Sequence, residues 1–131
     1  MRQLVPLAVA AVLLAGCARP APPTTSVPIT DMRSVIGKWS GVTTKGSTRK
    51  TDWVDLVVYD AEGRFFLSSY RGTTAIRARG LLTIDAGKLV AQAPEGRAVF
   101  TLHEGGGRRV LLMEAKLPDG AVYAADLTPS R

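Results

Sequence analysis

A chain of 131 residues with one cysteine and one histidine has no internal disulfide framework, no Cys-ligated zinc and no multi-histidine metal centre. Its length supports one small domain, with a core near the lower range of independent stability. Seventeen Lys and Arg against eleven Asp and Glu give a net charge of +6, which suits either anionic partners or simply solvated faces.

Residues 1–16 read as a targeting segment rather than as fold. Arg2 supplies a short positive region, Leu4 to Leu14 is apolar apart from Pro6, and Ala15-Gly16 provides the small residues a signal peptidase cuts after. The uncharged run is short for a membrane span and ends at Arg19-Pro20. Leu14-Ala15-Gly16-Cys17 resembles the lipobox of bacterial lipoproteins. The resemblance implies cleavage before Cys17, a thioether-linked diacylglycerol on its sulfur and an N-acyl chain, and several acyl chains make a stable anchor where one does not. It places the protein in a bacterial cell envelope, attached to the membrane through Cys17. Ala18 where an inner-membrane retention signal has Asp leans the expectation toward the outer membrane, facing the periplasm. That location argues against nucleic acid as a partner. Loss of Arg2 leaves sixteen cations against eleven acids, and lipidation of Cys17 leaves the folded part without a thiol.

Arg19 to Pro28 holds four prolines with Thr24, Thr25 and Ser26. Such a stretch buries little and favours extended polyproline geometry. The expected organisation is therefore a signal peptide 1–16, the lipidated cysteine and a Pro/Thr-rich tether 17–29, and a folded domain 30–131. A short helical turn over Asp31–Val35, capped by Thr30, opens that domain.

From residue 37 onward short apolar runs alternate with turn signals such as Asp60-Ala61-Glu62-Gly63, Pro94-Glu95-Gly96 and Pro118-Asp119-Gly120. The spacing predicts an all-β fold with eight antiparallel strands: 37–44, 52–60, 63–71, 75–85, 88–93, 97–104, 108–117 and 121–128. Even-numbered hairpin loops would oppose Val58 to Phe65, Leu67 to Ala78, Ile84 to Leu89, Ala91 to Phe100, Phe100 to Leu111 and Leu117 to Val122. One face is then almost wholly apolar, from Val54 through Phe65, Leu82 and Leu111 to Val122 and Ala124, with Ser69, Arg109 and Asp126 as its polar members. Phe65 opposite Gly80 fits an aromatic ring covering a strand glycine at a bend. A sheet with one dry face removes its edges by rolling closed.

The segment Ile36-Gly37-Lys38-Trp39-Ser40-Gly41 resembles the Gly-x-Trp signature that opens the first strand of lipocalins and of the wider calycin group. The resemblance implies an eight-stranded meander closed into a small calycin-like barrel, with Trp39 plugging its closed end. In lipocalins an arginine of the last strand often covers that tryptophan; here the last strand has none.

Two surfaces are candidates for function. The interior of an eight-stranded barrel is either filled by side chains or holds one small ligand. Ala78, Gly80, Ala91, Ala93, Ala98, Ala115 and Ala124 would leave room for an apolar group, whereas Phe65, Phe100 and Met113 would fill it. Arg109, on the dry face beside a glycine turn, is either a barrel-mouth residue meeting a ligand's anionic group or a strand-end arginine reaching water. Outside the barrel, Trp53, Tyr59, Phe66 and Tyr70 fall beside Arg77 and Arg79, a mixture suited to an envelope protein, a glycan or an anionic headgroup. The functional expectation is a membrane-anchored lipoprotein that carries a small hydrophobic or anionic ligand in its barrel. The alternative is a filled barrel acting as an interaction or protease-inhibitor module. No catalytic motif, metal cluster or cofactor fingerprint is present, and no enzyme activity is expected. His103 reads as a surface strand residue, and alternation sets Asp52 and Asp55 on opposite faces.

Overall fold

The computed structural model describes residues 23–46, 52–71 and 73–130. The expected signal peptide, Cys17, the first part of the tether and most of the loop 45–50 lie outside the described residues. Nine strands are found among the described residues: β1 (Thr25–Val27), β2 (Gly37–Lys45), β3 (Trp53–Val58), β4 (Arg64–Arg71), β5 (Thr74–Asp85), β6 (Lys88–Ala93), β7 (Gly96–Gly105), β8 (Arg108–Lys116) and β9 (Val122–Ser130), with a 3-10 turn over Met32–Val35. Strands β2 to β9 pair antiparallel in chain order, and β9 returns to β2. The expected all-β meander is therefore closed into an eight-stranded barrel, with β1 as one additional strand outside it.

The first three predicted hairpins pair as expected: Val58 with Phe65, Leu67 with Ala78 and Ile84 with Leu89. In the next two the register is shifted by two residues, toward the turn in the first and away from it in the second. Ala91 pairs with Ala98, and Phe100 pairs with Met113. The cause lies in the turns. Pro94-Glu95 alone joins Ala93 to Gly96, and Gly106-Gly107, with φ of +59° and +75°, makes the tight mirror-image turn that matches strand twist. A two-residue slip keeps each side chain on its face.

The last hairpin overturns an expectation. Lys116, not Leu117, pairs with Val122. Five residues form the turn, held by Gly120 N–H donating to the Leu117 carbonyl and Ala121 N–H donating to Asp119 Oδ1, each at 2.9 Å, with Gly120 at φ +88°. An odd loop reverses the faces of β9. Tyr123, Ala125 and Leu127 are buried, whereas Asp126, assigned to the dry face, is exposed. Ala124 likewise leaves the expected interior set. Ile84 keeps its register but is 38% exposed, although its partner Leu89 is fully buried.

The expected tether is also shorter than predicted. Strand β6 covers β7 only from Gly96 to Phe100. The bare edge beyond is taken by β1, which pairs Thr25 with Glu104, Ser26 with His103 and Val27 with Leu102. Thr and Val are good strand formers once an edge is offered. Pro28 then packs against the β5–β6 turn at Gly87, and Ile29 N–H donates to the Gly87 carbonyl at 2.8 Å. The packed unit thus begins near residue 23 rather than 30. The cap of the 3-10 turn is Asp31, not Thr30: its Oδ1 accepts from Arg33 N–H at 3.0 Å.

The core is continuous from the barrel interior to this N-terminal segment. Leu56, Leu89, Phe100, Leu111 and Leu127 fill the barrel, and Ile29, Met32 and Val35 seal one end beneath Trp39. Each large side chain so buried contributes about 1.5–3 kcal/mol. Gly41 sits on the closure seam, where a Cβ would run into the Asp126 carbonyl, so β2 and β9 approach closely only because that position has no side chain. Phe65 pairs with Gly80, and its ring lies 3.6 Å from where a Gly80 Cβ would be, as expected for an aromatic covering a bent strand.

Candidate functional site

Three regions of the barrel concern function: its sealed end, its open end and one outer wall. At the sealed end Trp39 is 2% exposed, and its indole Nε1–H donates to the Val35 carbonyl at 2.9 Å. Arg109 lies over the Trp39 ring, its guanidinium carbon 5.3 Å from the centroid. Its Nη2 donates to the Ser34 carbonyl at 2.6 Å, and its Nε pairs with Glu104 at 3.0 Å. The orphan carbonyls at the end of a 3-10 turn are thereby satisfied by a cation and an indole. Arg109, the candidate for ligand contact, and Trp39, the expected plug, are brought together here, on the sealed end of the barrel rather than at its open mouth. The arginine that covers the tryptophan comes from β8, the penultimate strand.

The open end is formed by the β4–β5, β6–β7 and β8–β9 turns. It holds a cavity of about 50 Å³ lined by Ile76, Ala78, Ala91, Ala93, Ala98, Ala115 and Leu117, with Glu95, Arg97 and Lys116 around it. Five of the predicted small residues line it; Gly80 and Ala124 do not. Small-molecule pockets usually enclose about 300–1,000 Å³, so this space admits a few methylene groups. It does not reach Arg109. Thr43, Asp52 and Ser69 are buried on the inward phase near this end, and the Asp52 carbonyl accepts from Thr43 N–H at 3.0 Å. Asp55, on the opposite phase as expected, accepts from Ser40 Oγ at 2.6 Å outside the barrel.

The outer wall of β2 to β5 carries the predicted aromatic-basic set. Register places Val57, Phe66 and Arg79 in one cross-strand row, with the Arg79 guanidinium 5.4 Å from the Phe66 ring centroid. Tyr59, Phe66, Arg79 and Leu81 line a shared shallow groove. Tyr59 is fixed there by the β3–β4 turn, where its N–H donates to the Arg64 carbonyl at 2.8 Å. In the same turn the Arg64 side chain bonds the Asp60 carboxylate and holds its pKa below the ordinary carboxylate value. Nearer the open end, Val42 pairs with Trp53, and Tyr70 lies on the next strand; Arg77 pairs with Ser68 between the two aromatic groups. Trp53, Tyr59 and Leu81 are 57%, 59% and 57% exposed and Tyr70 46%. Side chains of this size at this exposure on one wall mark an interaction surface more often than chance scatter.

Sequence reasoning placed the six wall residues but missed Leu81 and Val42. The signal for Leu81 was available: Leu81-Leu82 are adjacent, so one of the two must face outward. His103 lies beside Ser26 of β1 on the outside of β7. No group of three or more metal-ligating side chains occurs among the described residues.

The chain matches no protein-family model, no curated protein and no solved structure.

Proposed function

We propose that this protein is a lipid-anchored lipoprotein of a bacterial envelope, and that its barrel serves as an interaction module. The β2–β5 wall docks against an acidic surface of another envelope protein. The observation that carries this reading is a contrast between inside and outside. Trp39, Phe65, Phe100 and the leucines fill the barrel, leaving about 50 Å³, while Trp53, Tyr59, Tyr70 and Leu81 stand half exposed beside Arg77 and Arg79. Aromatic and arginine side chains supply most of the energy at protein interfaces. The two arginines and a basic chain favour an acidic counterpart. Anchoring at Cys17 rests on the Leu14-Ala15-Gly16-Cys17 motif.

A second reading has its own support. The open-end cavity is lined by alanines, Ile76 and Leu117, which suits the end of an acyl chain. One experiment separates the two. The mature protein is purified in mild detergent from the envelope of its host or of a related bacterium, as wild type and as the Trp53→Ala/Arg79→Glu double variant, and each is examined by native mass spectrometry. The interaction reading expects a protein partner that stays with the wild type and falls by at least tenfold with the variant. Equal partner recovery from both, together with a stoichiometric co-purified lipid, would replace it with the carrier reading.

A further inference from the structure

The packing of β1 fixes where the chain leaves the barrel. Strand β7 runs from the open end to the sealed end, and β1 pairs with its last residues, Leu102 to Glu104. Just before β1, the Pro23 carbonyl lies against Gly105 at the β7–β8 turn. The N-terminal segment therefore departs at the rim of the sealed end, on the opposite side of the barrel from the cavity.

Only six residues separate Cys17 from Pro23, and three of them, counting Pro23, are proline. Even fully extended they span about 20 Å. Strand β5 has 12 residues; at the strand rise and tilt of a small barrel this gives a height of about 25–30 Å. If Cys17 lies in a membrane surface, an inverted barrel would hold the departure point one barrel height above that surface, beyond the reach of the tether. The sealed end also shows features of a membrane-facing surface. Ile36 and Ile84 are exposed there, among exposed charges of both signs, Arg33, Lys88 and Arg108 with Asp31, Glu62 and Asp85; apolar tips set among charged side chains suit the headgroup layer of a bilayer.

Resting on the anchored reading above, we propose that the barrel docks its sealed end on the bilayer that holds its lipid, so that the open end points away from it. The mouth then cannot draw a ligand from the membrane to which the protein itself is attached. The β2–β5 wall rises from the membrane surface, free for a partner on the same or the opposite side of the envelope.

The test uses the full lipidated protein in vesicles of phosphatidylethanolamine and phosphatidylglycerol. With Cys17 acylated, Arg108→Cys and Pro118→Cys each provide one thiol for a fluorophore, at the sealed and open ends respectively. Lipids with a nitroxide on the headgroup report proximity. The expected result is loss of most of the fluorescence at Arg108→Cys and little loss at Pro118→Cys. Inserting a flexible Gly/Ser segment after Ala18 that doubles the tether should shrink the difference. Protein that floats with vesicles but is quenched equally or more at Pro118→Cys overturns the orientation alone. A difference unchanged by the longer tether overturns the tether as its cause. Wild type that fails to float removes the anchored reading and the orientation with it.

Discussion

At the scale of single residues, Arg109 is the side chain whose environment decides most. It covers the Trp39 ring, donates to the Ser34 carbonyl and pairs with Glu104. It is a clasp between β8 and the 3-10 turn, not a free ligand contact. Arg109→Leu removes two charge-assisted hydrogen bonds, to the Ser34 carbonyl and to Glu104, and one cation–π contact, and should lower stability by about 1–3 kcal/mol. Urea unfolding measures this, and partner recovery by the wall should not change. A variant as stable as wild type would mean that the clasp is idle. Alternation in the sequence already turned Arg109 inward. It did not say which end of the barrel Arg109 served, because residues 28–36 had to be known to fold across that end first. The outward-facing wall residues were legible for a simpler reason: Trp53, Phe66, Tyr70, Arg77 and Arg79 follow strand periodicity without depending on any distant segment.

At the scale of elements, the strands were legible and their registers only partly so. Period-two alternation fixes which side chains share a face, but loops of two and four residues preserve faces equally. Hence Ala91 and Phe100 kept their face while changing partners. The β8–β9 turn could not be read that way, because its odd length depends on the Asp119 side chain and the left-handed Gly120. Strand β1 was hidden by its prolines, which mark a tether unless an unpaired edge is available to hold the residues between them. That edge exists because β6 is short. Val27→Pro removes the N–H at the pairing position opposite Leu102 and forbids the extended ladder. Amide exchange at Leu102 to Glu104 should then speed up markedly, while β3 and β4 stay protected. Unchanged exchange would show that β1 adds no cover to β7.

At the scale of the whole molecule, the barrel is a packed body with one sealed end, a small apolar recess at the other and one aromatic-basic wall. The filled core leaves little interior space, which supports the proposal that the working surface is outside. The sequence could frame that choice but not make it, since whether Ala78, Ala91 and Ala115 leave a real cavity depends on how closely Phe65, Met113 and Tyr123 crowd around them. Tyr123 in particular enters only through the odd β8–β9 turn. Under the proposed anchoring at Cys17, the pairing of β1 with β7 that shortens the tether would give the wall a defined stance above the membrane. The most direct test of this account places a photoreactive amino acid at Tyr70 on the β2–β5 wall, and separately at Thr101 on the outside of β7, in bacteria making the lipidated protein. Irradiation should link Tyr70 to a defined envelope protein whose contact surface is acidic, and leave Thr101 without that product. Equal crosslinking at both positions, or none at Tyr70, would contradict the claim that this wall is the working surface.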